Sequence, residues 1–221
     1  ATLVERHRNG PLPPQARDEL IALTRREFVA FDKDADFQAF QWPRIEKAID
    51  FYLDFESKRR GEIADIFVEI GGRLSFPLAD GALFTLTANA DRIEKRKDGE
   101  LVVLDYKTGA PPTKKMVEVG FAPQLTLEAA MAERGAFADI DAGAKVAAGV
   151  YVKLMGADGG KDSALDFKER SFSEVASEHF AQLVNYLSSF RNEETGYPSR
   201  PYPQYASRYN DYDHLARVKE W

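Results

Sequence analysis

Residues 84–109 read FTLTANADRIEKRKDGELVVLDYKTG, from Phe84 to Gly109. Phe84, Leu86 and Ala88 alternate with Thr85, Thr87 and Asn89, the period of two of a half-buried strand. Lys97-Asp98-Gly99-Glu100 is a polar turn with Asp-Gly at its centre, a strong hairpin signal. Leu101, Val102, Val103 and Leu104 then form an apolar run, which suits a strand covered on both faces. Such a run should continue apolar or stop at a turn. Instead it ends in Asp105-Tyr106-Lys107-Thr108-Gly109.

Asp105 and Lys107 are two apart, so on an extended strand their side chains leave the same face, roughly 6.5–7 Å apart. Pairing around the Asp-Gly turn brings Asp91, on the preceding strand, near Asp105. Adjacent carboxylates repel unless a cation or a shared proton sits between them. The fitting occupant is a hard divalent metal, Mg²⁺ or Mn²⁺, which prefers oxygen ligands. Lys107 then faces a phosphate or orients the attacking water, while the metal stabilises charge on the scissile phosphate. An acid-x-lysine pair at a strand end also reads as a solvated ion pair of small energetic worth, and the residues alone leave both readings open.

Three blocks, Ala90-Asp91-Arg92-Ile93, Asp105-Tyr106-Lys107-Thr108-Gly109 and Gln124, resemble the PD-(D/E)xK nuclease signature in its RecB-like form. That form reads G-x-x-D-R-I-D, then D-Y-K-T-G, then Q-x-x-x-Y. The wider chain is similar to the C-terminal nuclease domain of AddB, a subunit of bacterial AddAB helicase-nucleases that act in double-strand break repair. The closer likeness is carried by Trp42-Pro43-Arg44, Phe84 to Gly109, Pro123-Gln124-Leu125 and the tail Tyr212-Asp213-His214-Leu215-Ala216-Arg217-Val218. The resemblance implies that Asp91, Asp105 and the Tyr106 backbone carbonyl hold the metal. Lys107 is then the catalytic lysine and Gln124 an accessory that touches the phosphate backbone or a ligand carboxylate. RecB-like nucleases also carry H-x-x-L in an early helix; Leu3 fits the leucine, which places that histidine just before Ala1. Many relatives have tyrosine four residues after the glutamine, where this chain has Glu128.

Composition sets the outer bounds. At 221 residues the chain is one large domain or two small ones, with 44% hydrophobic and 30% charged residues, ordinary for a globular protein. No apolar run approaches the roughly 20 residues of a membrane span, and no signal peptide is visible, so a cytoplasmic location without membrane attachment is expected. The absence of cysteine removes disulfides, thiolate metal sites and thiol catalysis. It also removes the iron–sulfur cluster that some AddB proteins hold. A net charge of −6 argues against a broad basic nucleic-acid surface, though not against a local basic strip beside metal-ligating acids. No G-x-x-x-x-G-K-[ST] loop is present, so the chain itself is not expected to hydrolyse ATP.

Along the chain, Ala1 to Arg6 reads as a helix interior without a cap, so a fragment of a larger protein is expected. His7 is a surface histidine or a ligand. Helices are expected over 15–31 and 43–60, with a short one over 36–42 ended by the Trp42-Pro43 step. Residues 65–78 read as a strand pair bent at Gly71-Gly72, with Glu69 either a site acid or an edge residue. A helix over 122–134 carries Gln124, a strand follows over 144–154, a turn over 157–161 and an edge strand over 165–172. Ser173 caps a last helix ending at Phe190, and the Pro-, Tyr- and Arg-rich tail, with Arg200 and Arg208, wraps the surface or touches DNA.

Together these readings give an α/β fold: a restriction-endonuclease-like core of a small mixed β-sheet flanked by α-helices. One nuclease domain spans residues 1–221, with a helical part at 1–60, the core at 61–190 and the irregular tail at 191–221. The expected reaction is metal-dependent hydrolysis of DNA, on a single-stranded end delivered by an AddA-like helicase partner. Two other classes stay open: a catalytically inactive nuclease-fold scaffold that binds DNA, and a small-molecule enzyme whose hairpin acids work as general acid and base. The last predicts a closed apolar pocket over the hairpin.

Overall fold

The computed structural model of the chain describes residues 2–156 and 159–197. The tail residues Arg200, Arg208 and Tyr212 to Val218, and Ala157 and Asp158 of the expected turn, lie outside these.

Two long strands, β1 (Ile63–Pro77) and β2 (Leu83–Arg96), pair antiparallel, and β2 turns into β3 (Leu101–Lys107). At that turn Gly99 has a φ of 90°, which its missing Cβ permits, and the Arg96 N–H donates to the Glu100 carbonyl at 2.8 Å. The Asp-Gly signal therefore marks a real hairpin. From β3 the chain crosses over through α4 (Lys114–Glu118) and α5 (Gln124–Glu133) to β4 (Val146–Lys153), which runs parallel to β3. An antiparallel edge strand, β5 (Lys161–Ala164), completes a five-stranded mixed sheet in the order β1-β2-β3-β4-β5.

Both faces of β3 are covered, which is why Leu101 to Leu104 read as a continuous apolar run. Leu101 and Val103 join Ile93 in a core with Leu125, Ala129 and Met131 of α5 and Val175 of α6 (Phe172–Ser189). Val102 and Leu104 join Val150 and Val152 in a second core closed by Phe55 of α3 (Trp42–Arg59). Each such side chain contributes about 1.5–3 kcal/mol on leaving water. Two N-terminal helices, α1 (Thr2–Arg6) and α2 (Ala16–Glu27), complete the helical layer on the α3 side. The arrangement is the α/β class expected, a mixed sheet with helices on both faces.

Four local expectations change. Gly71-Gly72 does not bend the chain: β1 runs through both, because the ring of Phe137 lies where a side chain at Gly72 would stand, 2.5 Å from an ideal Cβ. The Trp42-Pro43 step does not end a helix. A π turn over Phe37–Gln41 runs into α3, and Pro43 falls in the first turn, where its missing N–H costs nothing. The edge strand is Lys161–Ala164 rather than 165–172, because Leu165 and Phe167 are anchors buried in the core. The cap of α6 is Ser171, not Ser173, since Ser171 and Glu174 form a reciprocal capping box.

Candidate active site

The β2–β3 ladder ends at the pair Arg92 and Leu104. One step further, the register sets Asp91 opposite Asp105, where β3 leaves β2 and continues beside β4 alone. Asp91 takes over the vacated ladder position with its side chain: Oδ2 accepts the Tyr106 N–H at 2.8 Å. The other neighbour of β2 is irregular at the same level. The β1–β2 pairing skips Glu69 and Asp91, and Glu69 has a φ of 48°, a left-handed conformation unusual for a residue with a side chain. Both strands flanking Asp91 thus depart from regular pairing beside it.

Asp105 is 2% exposed. Its Oδ1 accepts from Lys107 Nζ and from Gln124 Nε2, each at 2.8 Å. Lys107 Nζ also stands 2.6 Å from Oδ2, yet outside hydrogen-bond alignment, so Oδ2 is buried without a hydrogen bond. Burial raises the Asp105 pKa above its ordinary value, and the Asp91 charge pushes the same way; Lys107 and Gln124 pull it down. Gln124 Oε1 accepts from Lys107 Nζ at 3.3 Å, which closes a ring of Asp105, Lys107 and Gln124.

A fourth member reads in the sequence only as standing where relatives have tyrosine, with no role assigned. Glu128, one turn after Gln124 on α5, is 4% exposed, and its Oε1 accepts from Gln124 Nε2 at 3.2 Å. The i,i+4 spacing was the available signal. Its Oε2 and the Tyr151 hydroxyl on β4 are buried without hydrogen bonds. Burial above all, then the charges of Asp105 and Asp91, push the Glu128 carboxyl up to about 7, against a weaker downward pull from Gln124 and Lys107. Burial likewise pushes the Tyr151 hydroxyl up to about 12, helped by Asp105 and Glu128.

This sets a pH dependence for the metal-free chain. A carboxyl whose pKa is raised on folding stabilises the fold below its unfolded value, and that contribution is lost as pH rises through the folded one. For Glu128 the window runs from about 4.5 to about 7. The loss is on the order of 3 kcal/mol. Glu128→Gln, which never ionises, is expected to gain stability relative to wild type by that amount between pH 5 and pH 8. Urea denaturation in EDTA checks it; parallel pH curves for the two proteins would contradict it.

The remaining candidates lie elsewhere. His7 pairs with Glu19, 3.7 Å away, and its carbonyl accepts from Arg60. Glu69 is exposed, and its carboxylate accepts from Asn89 at 3.1 Å rather than joining the ring. A mostly apolar cavity of about 860 Å³ opens on the α3 side, between Leu20, Leu23, Ile45, Ile49, Tyr52 and Tyr106. None of Asp91, Asp105, Lys107 and Gln124 lines it. This cavity therefore does not stand over the acids, where a small-molecule enzyme would need it.

The donor set suits a hard cation: carboxylate oxygens, with Asp105 Oδ2 buried and lacking a hydrogen-bond partner. Among the described residues, however, no group of three or more histidine, cysteine, aspartate or glutamate side chains already stands arranged to hold a metal ion. Gln124 and Lys107 lie between the acids instead. No helix of the described residues is long and apolar enough to cross a membrane.

Comparison with known proteins adds the lineage. The chain is 30% identical over 195 residues to an uncharacterized protein of Rickettsia felis, a match covering 75% of this chain and 22% of that protein. It is 41% identical over 80 residues to an uncharacterized protein of Rickettsia typhi, covering 36% of this chain and 9% of that one. The chain thus spans less than a quarter of these relatives' length. The crystal structure of SSO0001 covers 70% of this chain and 69% of its own at 15% identity, with a TM-score of 0.33, too weak a likeness to bear on the fold. The family model of the PD-(D/E)XK nuclease superfamily matches residues 2–209, and the chain belongs to that superfamily.

Proposed function

We propose that the chain is a metal-dependent deoxyribonuclease domain, the nuclease part of an AddAB- or RecBCD-type helicase-nuclease. It hydrolyses phosphodiester bonds of a single-stranded DNA end delivered by an AddA-like partner subunit, in cytoplasmic double-strand break repair and recombination. One observation carries the reading: Asp91 and Asp105 face each other where the strands part, with the Lys107 ammonium against Asp105. The narrower AddB likeness is supported by the sequence blocks around Trp42, Asp105 and Gln124.

Asp91, Asp105 and the Tyr106 carbonyl are the groups to hold Mg²⁺ or Mn²⁺. When bound, the cation stabilises charge on the scissile phosphate and lowers the pKa of a bound water. Lys107, whose side chain is 32% exposed, presents its ammonium to solvent beside the acids. There it binds a non-bridging phosphate oxygen and orients the attacking water. Gln124 holds Asp105 Oδ1 and the lysine in register. Asp91, by accepting the Tyr106 N–H, fixes the backbone between the catalytic acid and the lysine.

The direct test is cleavage of an end-labelled single-stranded oligonucleotide by the full-length protein. Cleavage with Mg²⁺ or Mn²⁺ that stops on adding EDTA is the expected result; an intact oligonucleotide with either metal would sink the proposal. A second reading, a nuclease-fold module that binds DNA without cutting, is favoured by the lack of a preformed three-acid set among the described residues. It expects retention of the oligonucleotide and no cleavage in the same assay.

A further inference from the structure

We infer that Glu128 is a third carboxylate of the metal site, a ligand to the same divalent cation as Asp105. The inference rests on the nuclease reading above and extends it to Glu128, which stands where the family signature has tyrosine.

The geometry begins with one amide. Gln124 Nε2 has two hydrogens to give, and it gives one to Asp105 Oδ1 at 2.8 Å and one to Glu128 Oε1 at 3.2 Å. A single nitrogen therefore gathers a strand acid and a helix acid, satisfying one oxygen of each. The second oxygen of each, Asp105 Oδ2 and Glu128 Oε2, is buried without a hydrogen bond. The hydroxyl of Tyr151, the residue beside Asp105 on the neighbouring strand, is in the same condition.

Folded proteins rarely leave buried polar atoms unsatisfied, since each costs about 1–3 kcal/mol and more when charged. Five such side-chain atoms occur among the described residues, and three of them fall on this one group of neighbours. The other two belong to arginines, Arg60 and Arg92, which lack acceptors; here two carboxylate oxygens lack a donor, and of the two only Asp105 Oδ2 has the Lys107 ammonium nearby, at 2.6 Å.

Charge points the same way. Asp91, Asp105 and Glu128 are three negative groups when ionised, and Lys107 is the positive group that touches one of them. A divalent cation balances the surplus of two. The donors are all oxygens, the set that Mg²⁺ and Mn²⁺ prefer. An interior carboxylate with apolar neighbours Leu125, Ala129 and Ala132 on its own helix has no structural use for its charge. Among the described residues the acids do not stand as a ready-made three-ligand set, so the measured affinity includes the cost of gathering them.

Titration of the full-length protein with Mn²⁺, read by the electron paramagnetic resonance signal of the free ion, tests this. Asp105→Asn sets the background and Glu128→Gln is the probe, with circular dichroism to follow the fold. Glu128→Met serves in its place if the glutamine variant does not fold. The expected result is Mn²⁺ binding by wild type, abolished in Asp105→Asn and weakened about 10- to 100-fold in the Glu128 variant. A smaller loss at Glu128, with Asp105→Asn still abolishing binding, overturns this inference and leaves the nuclease reading intact. No Mn²⁺ binding by wild type overturns both.

Discussion

Alanine at Lys107 is expected to lower DNA hydrolysis about 10²- to 10⁴-fold and to move the acidic limb of the pH–rate profile to higher pH. The first effect is loss of the ammonium held against Asp105, 2.6 Å from Oδ2. The second follows from what is left behind. Burial and the Asp91 charge both raise the Asp105 pKa, and Lys107 is the strongest influence against them, by hydrogen bond and by charge. Without it, Asp105 keeps its proton to higher pH and is a poorer oxygen donor there. Asp105→Ala is expected to lose at least as much activity, with no residual metal-dependent limb to shift.

Arginine at 107 should not rescue. Its planar guanidinium cannot fit as a compact charge between Asp105 and Gln124 Oε1, 3.3 Å from the present ammonium. Initial rates on a labelled single-stranded oligonucleotide between pH 6 and pH 9 carry the test. A Lys107→Ala protein with wild-type turnover, or with a lowered rate and an unmoved acidic limb, would remove the lysine from its assigned role.

The hairpin and its acids were legible because local rules dictate them. An Asp-Gly turn marks a hairpin and so brings Asp91 near Asp105; a two-residue turn at Asp98-Gly99 would set Asp91 opposite Tyr106, and the three-residue loop 97–99 shifts the register by one to Asp105. The doubly buried run at Leu101 to Leu104 likewise announced a central strand. What the sequence concealed depends on distant packing. Gly71-Gly72 looks like a turn until Phe137, some sixty residues on, occupies the space above Gly72. Glu128 shows in the sequence only as a departure from the signature's tyrosine; its burial stays hidden, because helical spacing shows which residues share a face but not what covers that face. The helix expected over 43–60 is α3, yet nothing in the sequence marks its Glu56 as wholly buried. Its partner Arg92 sits beside Ile93 in a strand, where alternation alone makes it an outward residue; α3 turns that outer face into an interior.

Removing that buried acid is expected to be the most damaging single change to stability. Glu56 and Arg92 are both fully inaccessible, and Arg60 is 5% exposed. Glu56 Oε1 accepts from Arg92 Nη1, while Oε2 accepts from Arg60 Nε at 2.8 Å and Arg92 Nη2 at 3.4 Å. Glu94, 1% exposed, pairs with Arg92 Nη2 at 2.7 Å and with Arg59. Two acids thus serve three arginines, and Arg92 Nε and Arg60 Nη2 already lack acceptors. Glu56→Ala leaves two buried guanidiniums to share what is left, a situation that costs about 3–5 kcal/mol when one partner of a buried pair is removed. The double variant Glu56→Met with Arg92→Met takes both charges out of the interior and is expected to recover most of the loss, because the desolvation cost disappears with them. The network also reaches the site: Arg92 Nη1 donates to the Tyr106 hydroxyl at 3.0 Å, on the residue whose N–H is held by Asp91. Tyr106 is therefore held at its hydroxyl and at its backbone N–H, and Glu56→Ala should loosen the strand that carries Asp105 and Lys107 before the chain unfolds. Urea midpoints for wild type, the single and the double variants decide the matter. A single variant within about 1 kcal/mol of wild type, the worth of an exposed ion pair, would mean that water reaches Arg92 and the interior charge network does not hold the sheet to α3.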